Sequence, residues 1–333
     1  MPGGETTNIM EMAIRASDSI LSRFGWRLTG PTNENFSCIQ IDKHQKSENP
    51  SHPVDAVFEY DDPYTSKRNY LLTDYKSYSY GSIIASRVRS ALINISKAVD
   101  CANISSEWQE RYVNSELSWS VHGMLFIYNH DGQYDKDFHN CLIETKYTRL
   151  DLPRHSKLFV MGPDKIEYLM NIINDIDGER GRNVLPPDTH INFWYPDLVT
   201  RRPTSKLNSM ARIELLLGPW QILPYEKVVS GHVIKGIYLY YAGLGNSPKE
   251  FEFLMDFCFK NQLVQPNCTI NIRSPNGVDV AQQNFEQAQD NIFRCFHSFP
   301  EIRNRLDQFQ FNRIDIVRTR FSTIQIGMDA RNG

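Results

Sequence analysis

The sequence predicts an α/β fold, a mixed sheet flanked by helices, with a C-terminal α+β domain after it. Two observations carry this prediction. Short segments rich in aromatic and β-branched residues alternate with segments whose apolar residues recur at helical spacing. The alternation then restarts beyond Arg201-Arg202-Pro203-Thr204-Ser205, a linker by composition. The boundaries read this way are residues 1–200 for the first domain and 205–333 for the second.

Taken in order, Asn8 to Phe24 places Ile9, Met10, Ala13, Ile14, Ala16, Ile20, Leu21 and Phe24 close to helical spacing. Thr6 or Thr7 can cap its start and Gly25 its end. Asn35 to Ile41 alternates and reads as a first strand. Pro53 to Tyr60 and Tyr70 to Tyr78 read as two more, joined by the turn-rich segment Asp61 to Arg68. Ser82 to Ala102 is the clearest helix, with Ile84, Val88, Ala91, Leu92, Ile95, Ala98, Val99 and Ala102 in one stripe. Trp119 to Tyr128 is an apolar run suited to a buried strand. Lys157 to Gly162 and Pro163 to Asp177 add a further strand and helix, and Gly178 to Asp188 is a loop by composition.

The chemistry-bearing residues sit on the second and third strands. Side chains two apart on a strand share a face, so Asp74 and Lys76 project together, and pairing of the two strands brings Asp55 to them. Two carboxylates and an ammonium converging there can hold a Mg²⁺, whose shell is completed by waters and substrate phosphate. The lysine can orient the attacking water and offset charge at the phosphate. The order helix, strand, strand with Asp, strand with Asp-x-Lys, helix, buried strand resembles the PD-(D/E)xK superfamily, the restriction-endonuclease-like nucleases. Asp55 matches its first acid, Asp74 the second and Lys76 the lysine; Pro53-Val54-Asp55 has one residue between proline and acid where the pattern has none. Glu11, on the first helix, matches a glutamate that faces the metal in many members. The resemblance covers roughly residues 5 to 130 and implies a restriction-endonuclease-like fold.

It also implies a metal-dependent nuclease hydrolysing phosphodiester bonds in nucleic acid, with DNA favoured over RNA as the substrate. Asp55, Asp74 and Glu11 would be metal ligands and Lys76 catalytic, with Mg²⁺ as cofactor and Mn²⁺ able to substitute. A place in a defence or restriction system, and a homo-oligomer or a complex with a partner protein, suit the superfamily. The alternative is a catalytically inactive nuclease-fold subunit that binds nucleic acid or scaffolds a complex. A third reading is an ordinary α/β domain whose hairpin carries these groups in solvent. Asp135, Asp137, Glu144 and Lys146 offer a second acid–lysine pattern, and His130 and His139 with Asn129 and Asn140 recur as in His-Asn-His nucleases. Glu59 shares a face with Asp55 but sits too far along the strand for a shared metal. His52 reads as a loop residue that could also approach the site, and Tyr75, Tyr78 and Tyr80 read as packing residues, with stacking on bases as the alternative.

The second half reads as strands near Ala211–Leu223, His232–Tyr241, Thr269–Arg273 and Arg313–Thr319, with a further strand through Gly327 and helices near Pro248–Asn261 and Val280–Phe296. It is an α+β layer with helices on one face. It contains no phosphate loop and no Gly-x-Ser-x-Gly, so it reads as an interaction or substrate-binding domain. Residues 201–333 hold 16 basic against 12 acidic residues and residues 1–200 hold 20 against 27, so the catalytic half is the acidic one. Arg294, Arg303, Arg305, Arg313, Arg318 and Arg320 cluster late and can contact phosphates or a partner subunit.

At 41% hydrophobic and 23% charged residues the composition is that of ordinary soluble domains. There is no apolar run long enough for a membrane span and no visible secretory signal. The six cysteines, Cys38, Cys101, Cys141, Cys258, Cys268 and Cys295, form no Cys-x-x-Cys and pair with no His at zinc spacing. They are expected to be reduced core residues of a cytoplasmic protein.

Overall fold

The structure is a computed structural model that describes residues 4–44, 50–114, 116–145, 150–186 and 191–317. The first unit includes residues up to Glu167, and the second is Tyr168–Arg318.

The first unit begins with helix α1 (Gly4–Leu21), followed by strands β1 (Arg27–Leu28) and β2 (Glu34–Ser37), the single turn α2 (Ile41–His44), and strands β3 (Ser51–Val54), β4 (Ala56–Asp61) and β5 (Arg68–Tyr78). Helices α3 (Ala85–Ala102) and α4 (Ser106–Tyr112), strand β6 (Trp119–Asn129), helix α5 (Phe138–Glu144) and strand β7 (Leu158–Met161) complete it, and helix α6 (Pro163–Gly181) leads out. The central sheet has the order β1-β4-β5-β6-β7. β1, β4 and β5 are antiparallel neighbours, whereas β6 and β7 are parallel to β5. The parallel step from β5 to β6 is made by α3 and α4, because a parallel pair needs a crossover. β2 and β3 form a separate two-stranded sheet.

β5 is buried between two layers. Tyr70 and Leu72 join one core with Val88, Leu92, Ile95 and Val99 of α3 and Val121, Leu125 and Ile127 of β6. On the opposite face the Tyr75 hydroxyl donates to Ser17 Oγ of α1 at 3.0 Å. Each fully buried Leu, Ile or Val in that core contributes about 1.5–3 kcal/mol by leaving water, and this layer fixes the pitch of α3 over β5.

The mixed sheet with flanking helices and the C-terminal sheet domain agree with the fold expected from sequence. Three details differ. The expected strand over residues 35–41 ends at Ser37, and Ile41–His44 turns helical instead. The continuous strand expected over residues 53–60 is broken by a bend at Asp55, where the chain leaves the β2–β3 sheet and enters the central one. The loop expected from Gly178 starts later, because α6 runs to Gly181.

In the second unit, β8 (Phe193–Trp194) and β9 (Leu207–Asn208) pair as a short ribbon before α7 (Ile213–Leu216). Strands β10 (Trp220–Val229) and β11 (His232–Tyr241) form an antiparallel hairpin. Helix α8 (Pro248–Lys260) crosses to β12 (Cys268–Ser274), and α9 (Ala281–Phe296) with α10 (Ile302–Leu306) crosses to β13 (Phe309–Arg313); β11, β12 and β13 are parallel. The strand expected over residues 211–223 begins only at Trp220, since the run Ile213-Glu214-Leu215-Leu216 forms a helical turn. A short apolar run is compatible with either state. Among the described residues the last strand is Phe309–Arg313, with Phe309 and Phe311 inward, ahead of the expected Arg313–Thr319, whose last two residues, like the expected strand through Gly327, lie outside the described residues.

The helices α8 and α9 cover one face of this sheet, where Phe251, Leu254, Ala281 and Phe285 meet Leu239, Ile270 and Ile272. The other face is also covered, by α6. Tyr168 Oη donates to Gln221 Oε1, Tyr238 Oη to Glu179 Oε2 and Tyr240 Oη to Asp175 Oδ2, each at 2.7 Å. Arg273 of β12 grips Asp175 with Nε and Nη2, both at 2.6 Å. These bonds tie α6 from Tyr168 onward to the second sheet. A helical stripe reveals that one face is buried, not which sheet buries it.

Candidate active site

Strand pairing builds the site. The pairing of β4 with β5 ends at Ala56 opposite Thr73, and Asp55, at the bend just beyond it, comes close enough to Asp74 to raise its pKa. The bend at Asp55 is tied by Asn33, whose backbone N–H donates to the Asp55 carbonyl at 3.0 Å. The Asp55 side chain reaches across, and its Oδ2 accepts the Tyr75 backbone N–H at 2.7 Å. Lys76, two residues beyond Asp74 and on the same face, donates from Nζ to Asp74 Oδ1 at 2.5 Å.

The electrostatics follow from this crowding. Burial pushes the Asp74 carboxyl up, and the neighbouring Asp55 adds to it, while the Lys76 ammonium pulls it back; the result is a pKa of about 6. For Lys76, burial works against the charged form, but Asp74 and Asp55 outweigh it and hold its pKa above the ordinary lysine value. An ion pair alone would lower the acid, so the upward shift of Asp74 reflects burial and a second carboxylate. Two carboxylates crowded in this way repel each other, and a divalent cation between them would relieve that repulsion.

Two neighbours complete the surround, Tyr78, read from sequence as a packing residue, and Arg87. Tyr78 follows Asp74 and Lys76 at the same two-residue period, and its hydroxyl is pushed up first by burial and then by Asp74, against Lys76 and Arg87. Arg87, exposed on the first turn of α3, places its guanidinium carbon 5.8 Å from the Tyr78 ring centre. The period-two signal for Tyr78 was present in the sequence; the approach of Arg87 depends on how α3 crosses β5.

Glu11 does not gather with the aspartates. It pairs with Arg15 one turn along α1 at 3.2 Å. Among the described residues, the only set of three or more Cys, His, Asp or Glu close enough to share a metal ion lies elsewhere, at Cys38, His44, His52 and Cys101. The physical reason is layering: α1 packs on the Tyr75 face of β5, and Asp74 and Lys76 point to the other.

The remaining candidates have other partners. Glu59 pairs with Arg27 at 2.9 Å and Arg68 at 3.6 Å, further down the strand. Asp137 caps α5, accepting from the His139 backbone N–H at 2.8 Å, and Lys146 lies outside the described residues. His130 meets Ser77 Oγ through Nδ1 at 3.3 Å. Lys136 sits 4.8 Å from the Tyr80 ring centre. Among the late arginines, Arg303 pairs with Asp290 and Asp307, Arg305 with Glu301 and Arg313 with Asp279, so much of their charge is already compensated; Arg318 and Arg320 lie outside the described residues. A cavity of about 610 Å³ opens in the second unit beside Trp194, Tyr225, Tyr238 and Leu263, and neither Asp55 nor Asp74 lines it. Among the described residues no helix is long and apolar enough to cross a membrane.

No curated protein matches the chain. Residues 1–165 match the family model described as the GAPS4 protein PD-(D/E)XK nuclease domain. The match spans the central sheet with both aspartate-bearing strands, α1 and α3, and this part of the chain belongs to the PD-(D/E)xK nuclease superfamily.

Proposed function

We propose that the protein is a metal-dependent nuclease that hydrolyses phosphodiester bonds in DNA, with Asp55, Asp74 and Lys76 as its catalytic residues. The observation that carries this reading is the approach of the Asp55 carboxylate, held by the Tyr75 N–H, to Asp74, which Lys76 binds. Asp55 and Asp74 would hold Mg²⁺, with Mn²⁺ able to replace it; hard carboxylate oxygens suit both ions. When bound, such an ion polarises the phosphate and lowers the pKa of a bound water. Lys76 orients the attacking water and offsets charge gathering on the scissile phosphate. The Tyr75 N–H fixes the Asp55 carboxylate, and the bend at Asn33 fixes its backbone. Arg87, an exposed guanidinium backed by the Tyr78 ring, is a candidate to contact a neighbouring phosphate. Glu11 is left out of the ligand set because it is committed to Arg15. The reading extends to a role in defence against foreign DNA, in keeping with the superfamily.

The test is cleavage of plasmid, linear duplex and single-stranded substrates with Mg²⁺, with Mn²⁺ and with EDTA. Cleavage of DNA that requires a divalent ion and stops with EDTA is the expected result. No cleavage of any substrate would favour an inactive nuclease-fold subunit that binds nucleic acid or scaffolds a complex.

A further inference from the structure

Four buried side chains in the first unit converge on one point away from the aspartates. Cys38 follows β2, His44 ends α2, His52 lies on β3 and Cys101 lies near the end of α3. Their exposures are 4%, 1%, 1% and 0%, and one candidate ligand atom from each lies within 4.8 Å of all the others. We propose that Cys38, His44, His52 and Cys101 form a structural zinc site that fastens the β2–β3 hairpin to α3.

The distances fit a single tetrahedral ion. A tetrahedron built from Zn–S bonds of about 2.3 Å and Zn–N bonds of about 2.05 Å separates two sulfurs by about 3.8 Å and a sulfur from a nitrogen by about 3.6 Å. The Cys38 and Cys101 sulfurs are 3.8 Å apart. His44 Nδ1 lies 3.3 Å from Cys38 Sγ and 3.6 Å from Cys101 Sγ. The His52 ring meets the His44 ring edge-on, with centroids 5.3 Å apart.

The surroundings select the ligating tautomer. His44 Nε2 lies 3.1 Å from Asp100 Oδ2, and facing a carboxylate it is the donor, which leaves the Nδ1 lone pair aimed at the two sulfurs. A carboxylate behind a ligating histidine is the usual outer shell of a zinc site. Asp100 is itself held by Gln40 Nε2 at 2.8 Å and by the Lys43 ammonium. Two thiolates and two neutral imidazoles balance the charge of Zn²⁺, so the closed site can be buried without a net charge. A soft S₂N₂ set favours zinc over the hard ions suited to Asp55 and Asp74. His52 stands three residues before Asp55 on the same run of chain, so the ion would anchor the strand that delivers that carboxylate.

The full-length protein, purified without an affinity tag and desalted, is assayed for zinc by mass spectrometry. One zinc per chain is expected, retained in an Asp55→Ala/Asp74→Ala double variant and lost in Cys101→Ser. Wild-type protein produced with Co²⁺ is expected to show a thiolate-to-cobalt charge-transfer band together with the strong visible bands of a tetrahedral ion. This spectrum is read on the native chain, so it does not depend on Cys101→Ser folding. Zinc-free wild type lacking the thiolate band, a Cys38–Cys101 disulfide in freshly purified protein, or zinc that leaves with the aspartates would each overturn the proposal.

Discussion

At the scale of residues, Asp74 is the most perturbed group of the candidate site. Its folded-state pKa of about 6 lies above the ordinary value of 3.8, so the folded protein binds this proton more tightly than the unfolded chain does. Its contribution to stability is therefore greatest below pH 4 and is lost as pH rises through about 6. In chelator-treated protein, Asp74→Asn, which carries no charge to bury, is expected to be more stable than wild type at pH 7.5 by about 1–3 kcal/mol at 1.36 kcal/mol per unit. Thermal melts between pH 4 and 8 should show that advantage shrinking toward the acid end. An advantage that does not vary with pH would mean that the gain comes from packing and not from charge. The same substitution is expected to abolish cleavage, because it removes an anionic ligand, so a gain in stability and a loss of activity should appear in one variant.

Among elements, the α3–β6 contact sets the layer on which β5 rests. Gly123 of β6 has no room for a side chain: an added Cβ would lie 2.5 Å from Leu158 Cδ2, 3.1 Å from Val99 Cγ2 and 3.2 Å from Ile95 Cγ1. Gly123→Ala is expected to cost about 1–3 kcal/mol through overpacking, measured as a lower midpoint in urea with an unchanged slope. The strand pair carrying Asp55, Asp74 and Lys76 was legible in the sequence, because strand alternation and a short turn-rich connection are local signals. The bend at Asp55 was not, since it arises where β3 leaves one sheet and β4 joins another. The Cys/His cluster was hidden for a related reason: its members come from four different elements, and Cys38, His44, His52 and Cys101 have none of the short spacings that mark a zinc motif in sequence. The pairing of Glu11 with Arg15 was not legible, because helical periodicity gives an amphipathic face but not the side of the sheet on which the helix will lie.

For the whole molecule, a polar layer joins α6 to the second sheet. Arg273, 8% exposed, is bound to Asp175, lies 3.4 Å from Glu179 and sits 4.8 Å from the Tyr238 ring centre. Arg273→Ala would take the ion-pair partner from Asp175, while Glu179 keeps Arg182, and is expected to destabilise the second unit by about 3–5 kcal/mol, read by calorimetry as a transition moved to lower temperature. An unchanged transition would contradict the role assigned to this layer. The proposed function assigns catalysis to Asp55, Asp74 and Lys76 and not to the second acid–lysine set, of which Asp137 caps α5. The most direct measurement is therefore divalent-metal-dependent cleavage by Lys76→Ala beside Glu144→Ala, each first shown to be folded by circular dichroism. Removing groups that act on the reacting phosphate commonly costs 10²-fold or more; the account predicts that loss for Lys76→Ala and near wild-type cleavage for Glu144→Ala. Unimpaired cleavage by Lys76→Ala, with cleavage lost in Glu144→Ala, would contradict it.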